Sequence, residues 1–176
     1  MRNNNAEIKC RCNQLDQVRQ ILLANKAHYH GTDHQVDTYF RVPDGRLKLR
    51  EGNIENSLIY YRRPNTTDTK ISEVQMYHTT PPSNDLKTTL SAALGVLAVV
   101  DKQREIYFIE HTKFHLDTVA NLGTFVEIEV IDKGAKQAIE TLVQQCNDYV
   151  HLLGLLADDM IAVSYSDLIL NNLIKI

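Results

Sequence analysis

Period-two alternation restricts this chain more than any other feature, because within a strand the polar positions tend to carry one sign of charge. Arg46, Lys48 and Arg50 stand at alternate positions, with Leu47 and Leu49 between them. Glu127 and Glu129 project together against Val126, Ile128 and Val130. Lys113, His115 and Asp117 oppose Phe114 and Leu116; Glu7 pairs with Lys9, Lys102 with Arg104, and Tyr60 with Arg62. Successive side chains of a strand point to opposite faces, so each set shares a surface. Like charges stacked on a sheet repel, and something must offset that repulsion. A solvated outer face does so for any single strand. Several strands with such polar faces favour a second solution, a closed barrel with its charged faces inward. A lumen of that composition suits a polyphosphate: basic groups neutralise phosphoryl oxygens, and carboxylates hold a bridging divalent metal.

The rest of the chain supplies the strands and helices that such a barrel needs. Alternation covers residues 6–12, 36–41, 46–50, 57–63, 69–78, 102–110, 113–117 and 124–131, with Pro43-Asp44-Gly45 as a turn. Helical spacing covers residues 14–27, 85–94 and 136–153, and a last helix starts at Asp158-Asp159 and runs towards Leu170. Many strands with interspersed helices predict an α+β protein with an antiparallel sheet, a single domain over 1–176. Nineteen basic against 22 acidic residues leave no global field to draw the chain to nucleic acid or a membrane. No apolar run reaches the ~18 residues of a membrane span. Polar Met1-Arg2-Asn3-Asn4-Asn5 does not read as a secretory signal, so a cytoplasmic location is expected. Three cysteines argue against a disulfide framework. Cys10 and Cys12, with His28, His30 and His34, could suggest zinc, but buried thiols and solvated loop histidines are the simpler reading.

A set of motifs then carries a family resemblance. They are Asn5-Ala6-Glu7-Ile8-Lys9, Gln35-Val36-Asp37-Thr38-Tyr39-Phe40, Gly45-Arg46-Leu47-Lys48-Leu49-Arg50-Glu51 and Leu58-Ile59-Tyr60-Tyr61-Arg62-Arg63-Pro64. Lys102-Gln103-Arg104, His115-Leu116-Asp117-Thr118-Val119, Leu122-Gly123-Thr124-Phe125-Val126-Glu127-Ile128-Glu129 and Ser164-Tyr165-Ser166-Asp167-Leu168 follow in order. Together they resemble the CYTH domain, the group of class IV adenylyl cyclases and thiamine triphosphatases also called triphosphate tunnel metalloenzymes.

The resemblance implies an eight-stranded antiparallel tunnel with flanking helices that binds a nucleoside or inorganic triphosphate with Mg2+ or Mn2+. Glu7 and Lys9 match the end of the ExExK motif, and Lys48 and Arg50 the basic pair on the phosphates. Arg62, Lys70 and Arg104 match further phosphate-binding cations, while Asp117, Glu127 and Glu129 join Glu7 as metal ligands. Lys9, Arg50 and Arg104 are the expected catalytic cations. One position departs: Asn5 replaces the first Glu of ExExK, which removes an anionic ligand and puts a second metal in doubt. Arg63 adds a cation where many relatives carry a small residue. The implied reactions are cyclisation of ATP to cyclic AMP and pyrophosphate, or hydrolysis of a linear triphosphate. A monomer or homodimer is expected, and a polyphosphate-binding module without turnover is the alternative.

Overall fold

The computed structural model describes residues 4–132 and 137–173. Its elements in chain order are β1 (Asn4–Arg11), α1 (Leu15–Ala24), β2 (His28–Phe40), β3 (Arg46–Gly52), β4 (Ser57–Arg62) and β5 (Lys70–His78). Then come α2 (Asn84–Leu94), β6 (Val96–Ile109), β7 (Thr112–Val119), β8 (Gly123–Asp132), α3 (Ile139–Leu152) and α4 (Tyr165–Leu173). The strands close into an antiparallel barrel in the order β1-β5-β4-β3-β2-β6-β7-β8. Closure leaves no unpaired sheet edge and lets each strand present one face to a lumen and the other outward.

Parity decides which face is which. On β1, β7 and β8 the apolar residues Ala6, Ile8, Phe114, Leu116, Val126 and Ile128 point outward and are buried. They are covered by Val18 and Leu22 of α1 and by Leu142, Cys146 and Val150 of α3, which completes the main core outside the barrel. Burying one such side chain contributes about 2 kcal/mol. The charged partners of these residues therefore face in. Cys10 is a buried free thiol on this outer face, and Cys12 is a partly buried one beside it.

β2, β6 and the last helix differ from the sequence reading: β6 begins at Val96, ahead of the expected start at residue 102. β2 begins at His28, so His28, His30 and His34 lie on a strand instead of a loop. A register shift between Tyr29 and Gly31 breaks the period there, and His34 is an exposed partner of Asp101 at 2.8 Å. The last helix starts later than expected: residues 157–159 form only one 3-10 turn, and α4 begins at Tyr165. Ser164 and Asp167 explain that start, because each backbone N–H donates to the other's side chain, at 3.0 and 3.2 Å, as a capping box. The polar residues 1–3 and the expected start of α3 at residue 136 lie outside the described residues.

α4 and the turn before it cross one end of the barrel. Tyr165 is 4% exposed, packs on Phe125 at 4.9 Å and donates its hydroxyl to Asp117 at 2.7 Å. Arg46 ties α4 to β3 through Asp167 at 2.8 Å. Lys70 donates to the carbonyl of Ile161 at 2.7 Å. The opposite end carries the β3–β4 loop, the C-terminal end of β5 and the start of β7. Among the described residues no helix is long and apolar enough to cross a membrane.

Candidate functional site

The lumen encloses a cavity of about 520 Å³. Seven cationic side chains and five carboxylates line it, contributed by six of the eight strands, the β3–β4 loop and the residue following β4. Their ion pairs fall into connected groups. On one side Asp37 of β2 accepts from Lys48 at 2.9 Å, from Arg50 Nε at 2.8 Å and from Lys102 at 2.8 Å. Burial opposes ionisation of Asp37, yet Arg50, Lys102 and Lys48 outweigh it and hold its carboxyl well below the usual range. Lys102 bears the cost of this crowding: burial, with Arg50 and Arg104 nearby, pulls it down to about 7.

On the other side Arg104 of β6 grips Asp117 with two nitrogens, at 2.7 and 2.5 Å, and reaches Glu127 at 2.9 Å. Lys9 stands 3.7 Å from Glu127 and 3.9 Å above the ring of Tyr165. Glu7 is held by Arg63 and accepts the Ser72 hydroxyl at 3.1 Å. His115 lines the cavity between these groups. Burial and the Arg104 charge push it down to about 3, so it is neutral, and its Nε2 has no hydrogen-bond partner.

Glu129 has a different environment. Burial, the Glu7 carboxylate and then Glu127 raise it to about 7. It accepts a hydrogen bond from the Asn5 amide at 2.7 Å, and the Asn5 Oδ1 beside it is buried without a partner. An orphaned amide oxygen next to repelling carboxylates is the donor chemistry of a hard divalent cation. Among the described residues no three carboxylate, imidazole or thiol groups form a ready-made cage. Mg2+ fits such a partial set, since it usually takes one or two carboxylates and completes its shell with water and substrate phosphate. Glu129 and Asn5, with Glu7 and Glu127 adjoining, would hold it.

The structure separates the expected site residues. Lys9, Lys48, Arg50, Arg104, Glu7, Glu127 and Glu129 line one cavity. Arg62 does not: it is exposed and paired with Asp44 at 2.7 Å on the outer surface. Strand β4 turns Ser57, Ile59 and Tyr61 inward, so Leu58, Tyr60 and Arg62 face out, and Arg63 is the cation that enters. The usual rule of polar-in for this barrel fails on β4, where the inner face is apolar and aromatic. Lys70 shares the inner face opposite Glu7, but its amine is spent on Ile161 and lies outside the cavity lining. Burial and the Arg63 charge lower it to about 8. Asp117 is fully buried under Arg104 and Tyr165 and does not reach the cavity, so it positions a cation where a metal ligand was expected.

Five charged cavity residues had no assigned role in the sequence reading: Asp37, Glu55, Arg63, Lys102 and Lys113. Asp37 had a usable signal, since Asp33, Gln35 and Asp37 alternate as a polar face of their own. Glu55 had none, because it sits in the loop after β3, where no period applies.

The structure is thus a charged tunnel, crossed at one end by a helix and lined by cations and carboxylates. The CYTH domain model matches residues 3–165, and the chain belongs to the CYTH domain family. Among solved structures it is similar to the PH1012 protein of Pyrococcus horikoshii OT3, with a TM-score of 0.80 and 23% identity over 93% of this chain and 98% of that one. A candidate adenylate cyclase of Vibrio parahaemolyticus gives a TM-score of 0.76 at 16% identity, over 94% and 97% of the two chains. HpAC1 of Hippeastrum, a candidate adenylyl cyclase with a dominant triphosphatase activity, gives 0.63 at 14% identity over 93% and 91%. These likenesses are of fold. No curated protein matches the chain.

Proposed function

We propose that this barrel is a divalent-metal-dependent enzyme that binds a triphosphate in its lumen and breaks one of its phosphoanhydride bonds. The observation that supports this most is the convergence of Lys9, Lys48, Arg50, Arg63, Arg104 and Lys113 on one enclosed cavity that also holds Glu7, Glu127 and Glu129. A protein core gains nothing from so many buried ions, because their desolvation offsets most of their mutual attraction. A polyanionic ligand accounts for them.

The side chains would act by position and charge. Arg50, Lys48 and Lys102, held by Asp37, adjoin Lys9, Arg63 and Arg104, held by Glu127, Glu7 and Asp117, so phosphoryl oxygens can be gripped by both groups along the lumen. Negative charge that grows on bridging and non-bridging oxygens meets donors already oriented, which is the main source of rate in such reactions. A bound Mg2+ or Mn2+ would supply Lewis-acid polarisation of the phosphoryl oxygens. Hydrolysis and cyclisation need the same cradle and differ in the nucleophile, water or a ribose hydroxyl.

Incubation of the protein with ATP, thiamine triphosphate and inorganic tripolyphosphate, each with Mg2+ or Mn2+, tests the proposal. Cyclic AMP with pyrophosphate identifies a cyclase, and phosphate release a triphosphatase. The metal-dependent product is expected to vanish in Glu129→Gln while its circular dichroism stays that of the wild type. Triphosphate-dependent thermal stabilisation without any product would favour the binding module, which the charge lost at Asn5 makes a physical alternative.

A further inference from the structure

The mouth opposite α4 carries an acidic side chain set across the entry to the basic lumen. Glu55 reaches in from the β3–β4 loop, and its carboxylate accepts from Arg50 Nη1 at 2.8 Å, from Gln35 Nε2 at 3.0 Å and from Lys113. Arg50 and Lys113 lie on β3 and β7, strands separated in the barrel by β2 and β6, so the carboxylate spans the lumen. The loop is built to hold it there. Buried Asp33 accepts the backbone N–H groups of Ile54 and Glu55, at 2.9 and 3.0 Å. Asn56 closes the turn on Gly52 with two hydrogen bonds, at 3.1 and 2.8 Å. An added Cβ at Gly52 would lie 2.7 Å from the Glu55 carbonyl and 2.8 Å from the Asp33 carboxylate, so the turn has no slack.

The same mouth has an apolar side. Strands β4 and β5 turn Ile59, Val74 and Met76 into the cavity, and Ile54 joins them from the loop. Ile54 and Met76 are 40% and 53% exposed at the rim. A bare polyphosphate gains nothing from that wall, and at Glu55 it meets a fixed negative charge already seated on two of the cations it needs. A phosphate ester threaded with its triphosphate inward leaves an organic group beside Ile54 and Met76. Its hydroxyl, amine or cationic substituents can then donate to the carboxylate.

We propose that Glu55 is a specificity-determining residue that disfavours inorganic polyphosphate and admits a triphosphate ester whose organic part carries hydrogen-bond donors or positive charge. This rests on the triphosphate reading of the lumen and adds a preference within it. Like charges brought together in a confined site cost enough to change affinity severalfold or more.

Titration calorimetry with inorganic tripolyphosphate and with a non-hydrolysable ATP analogue, on wild type, Glu55→Gln and Glu55→Ala, tests it. Two substitutions keep the test open should one of them fail to fold, and circular dichroism identifies which folds. The wild type is expected to bind the analogue more tightly than tripolyphosphate. Removing the charge should strengthen tripolyphosphate binding about tenfold and the analogue's much less, closing the gap. An equal change for both ligands, or no change, overturns the selectivity role and leaves the triphosphate site standing. No binding of either ligand to any of the proteins overturns the site and this inference with it.

Discussion

At the scale of single residues, one position of parity separates a surface cation from a lumen cation. Arg62 and Arg63 are neighbours, yet Arg62 pairs with Asp44 in solvent while Arg63 is buried on Glu7. Arg63→Gln should therefore weaken binding of an ATP analogue at least tenfold, and Arg62→Gln should leave it within about twofold, as read by calorimetry. The sequence invites the opposite assignment, because β4 turns Ile59 and Tyr61 inward and so reverses the polar-in rule that holds on β1, β3 and β8. Buried ions also leave a mark on stability. Lys102 titrates near 7 in the folded protein against 10.5 when exposed, so the unfolded chain binds more protons between those values. Stability should then rise with pH from about 7 towards 9. Lys70, lowered to about 8, adds the same sign. Urea denaturation across this interval should show a shallower rise in Lys102→Met than in the wild type; an unchanged slope would remove Lys102 as a source.

Among the elements, helices α1 and α3 decide which way the strands face, because their apolar stripes cover the greasy sides of β1, β7 and β8. Leu142 lies fully buried at that contact. Leu142→Ala should cost about 3 kcal/mol in chemical denaturation, with product formation per folded molecule retained. A much smaller loss would mean that α3 is not a structural clamp. Strands with strict alternation and regular partners, such as β3 and β8, were legible from sequence almost to their ends. The first half of β2 was not, since a register shift at Gly31 and a run of exposed polar residues erase the period there. The acidic pair Asp158-Asp159 resembled a helix start, but the reciprocal bonds of Ser164 and Asp167 place the real start at Tyr165.

For the whole molecule, closure turns a list of alternating charges into a site. Seven cations and five carboxylates from six strands and two connecting segments share one lumen because β1 pairs with both β5 and β8 and leaves no free edge. That convergence was legible in outline, since period two specifies faces and the motif order specifies the family. The ion-pair partners were not: Asp37 binding three cations, Asp117 spent on Arg104 and Glu55 set across the mouth are facts of three-dimensional neighbourhood. The most direct measurement is titration calorimetry of a non-hydrolysable ATP analogue with Mg2+ into the wild type and into Lys48→Met. If the lumen is a triphosphate site, the wild type binds one analogue per chain and Lys48→Met binds at least tenfold more weakly. Absent binding, or equal affinity in the two proteins, would contradict the account.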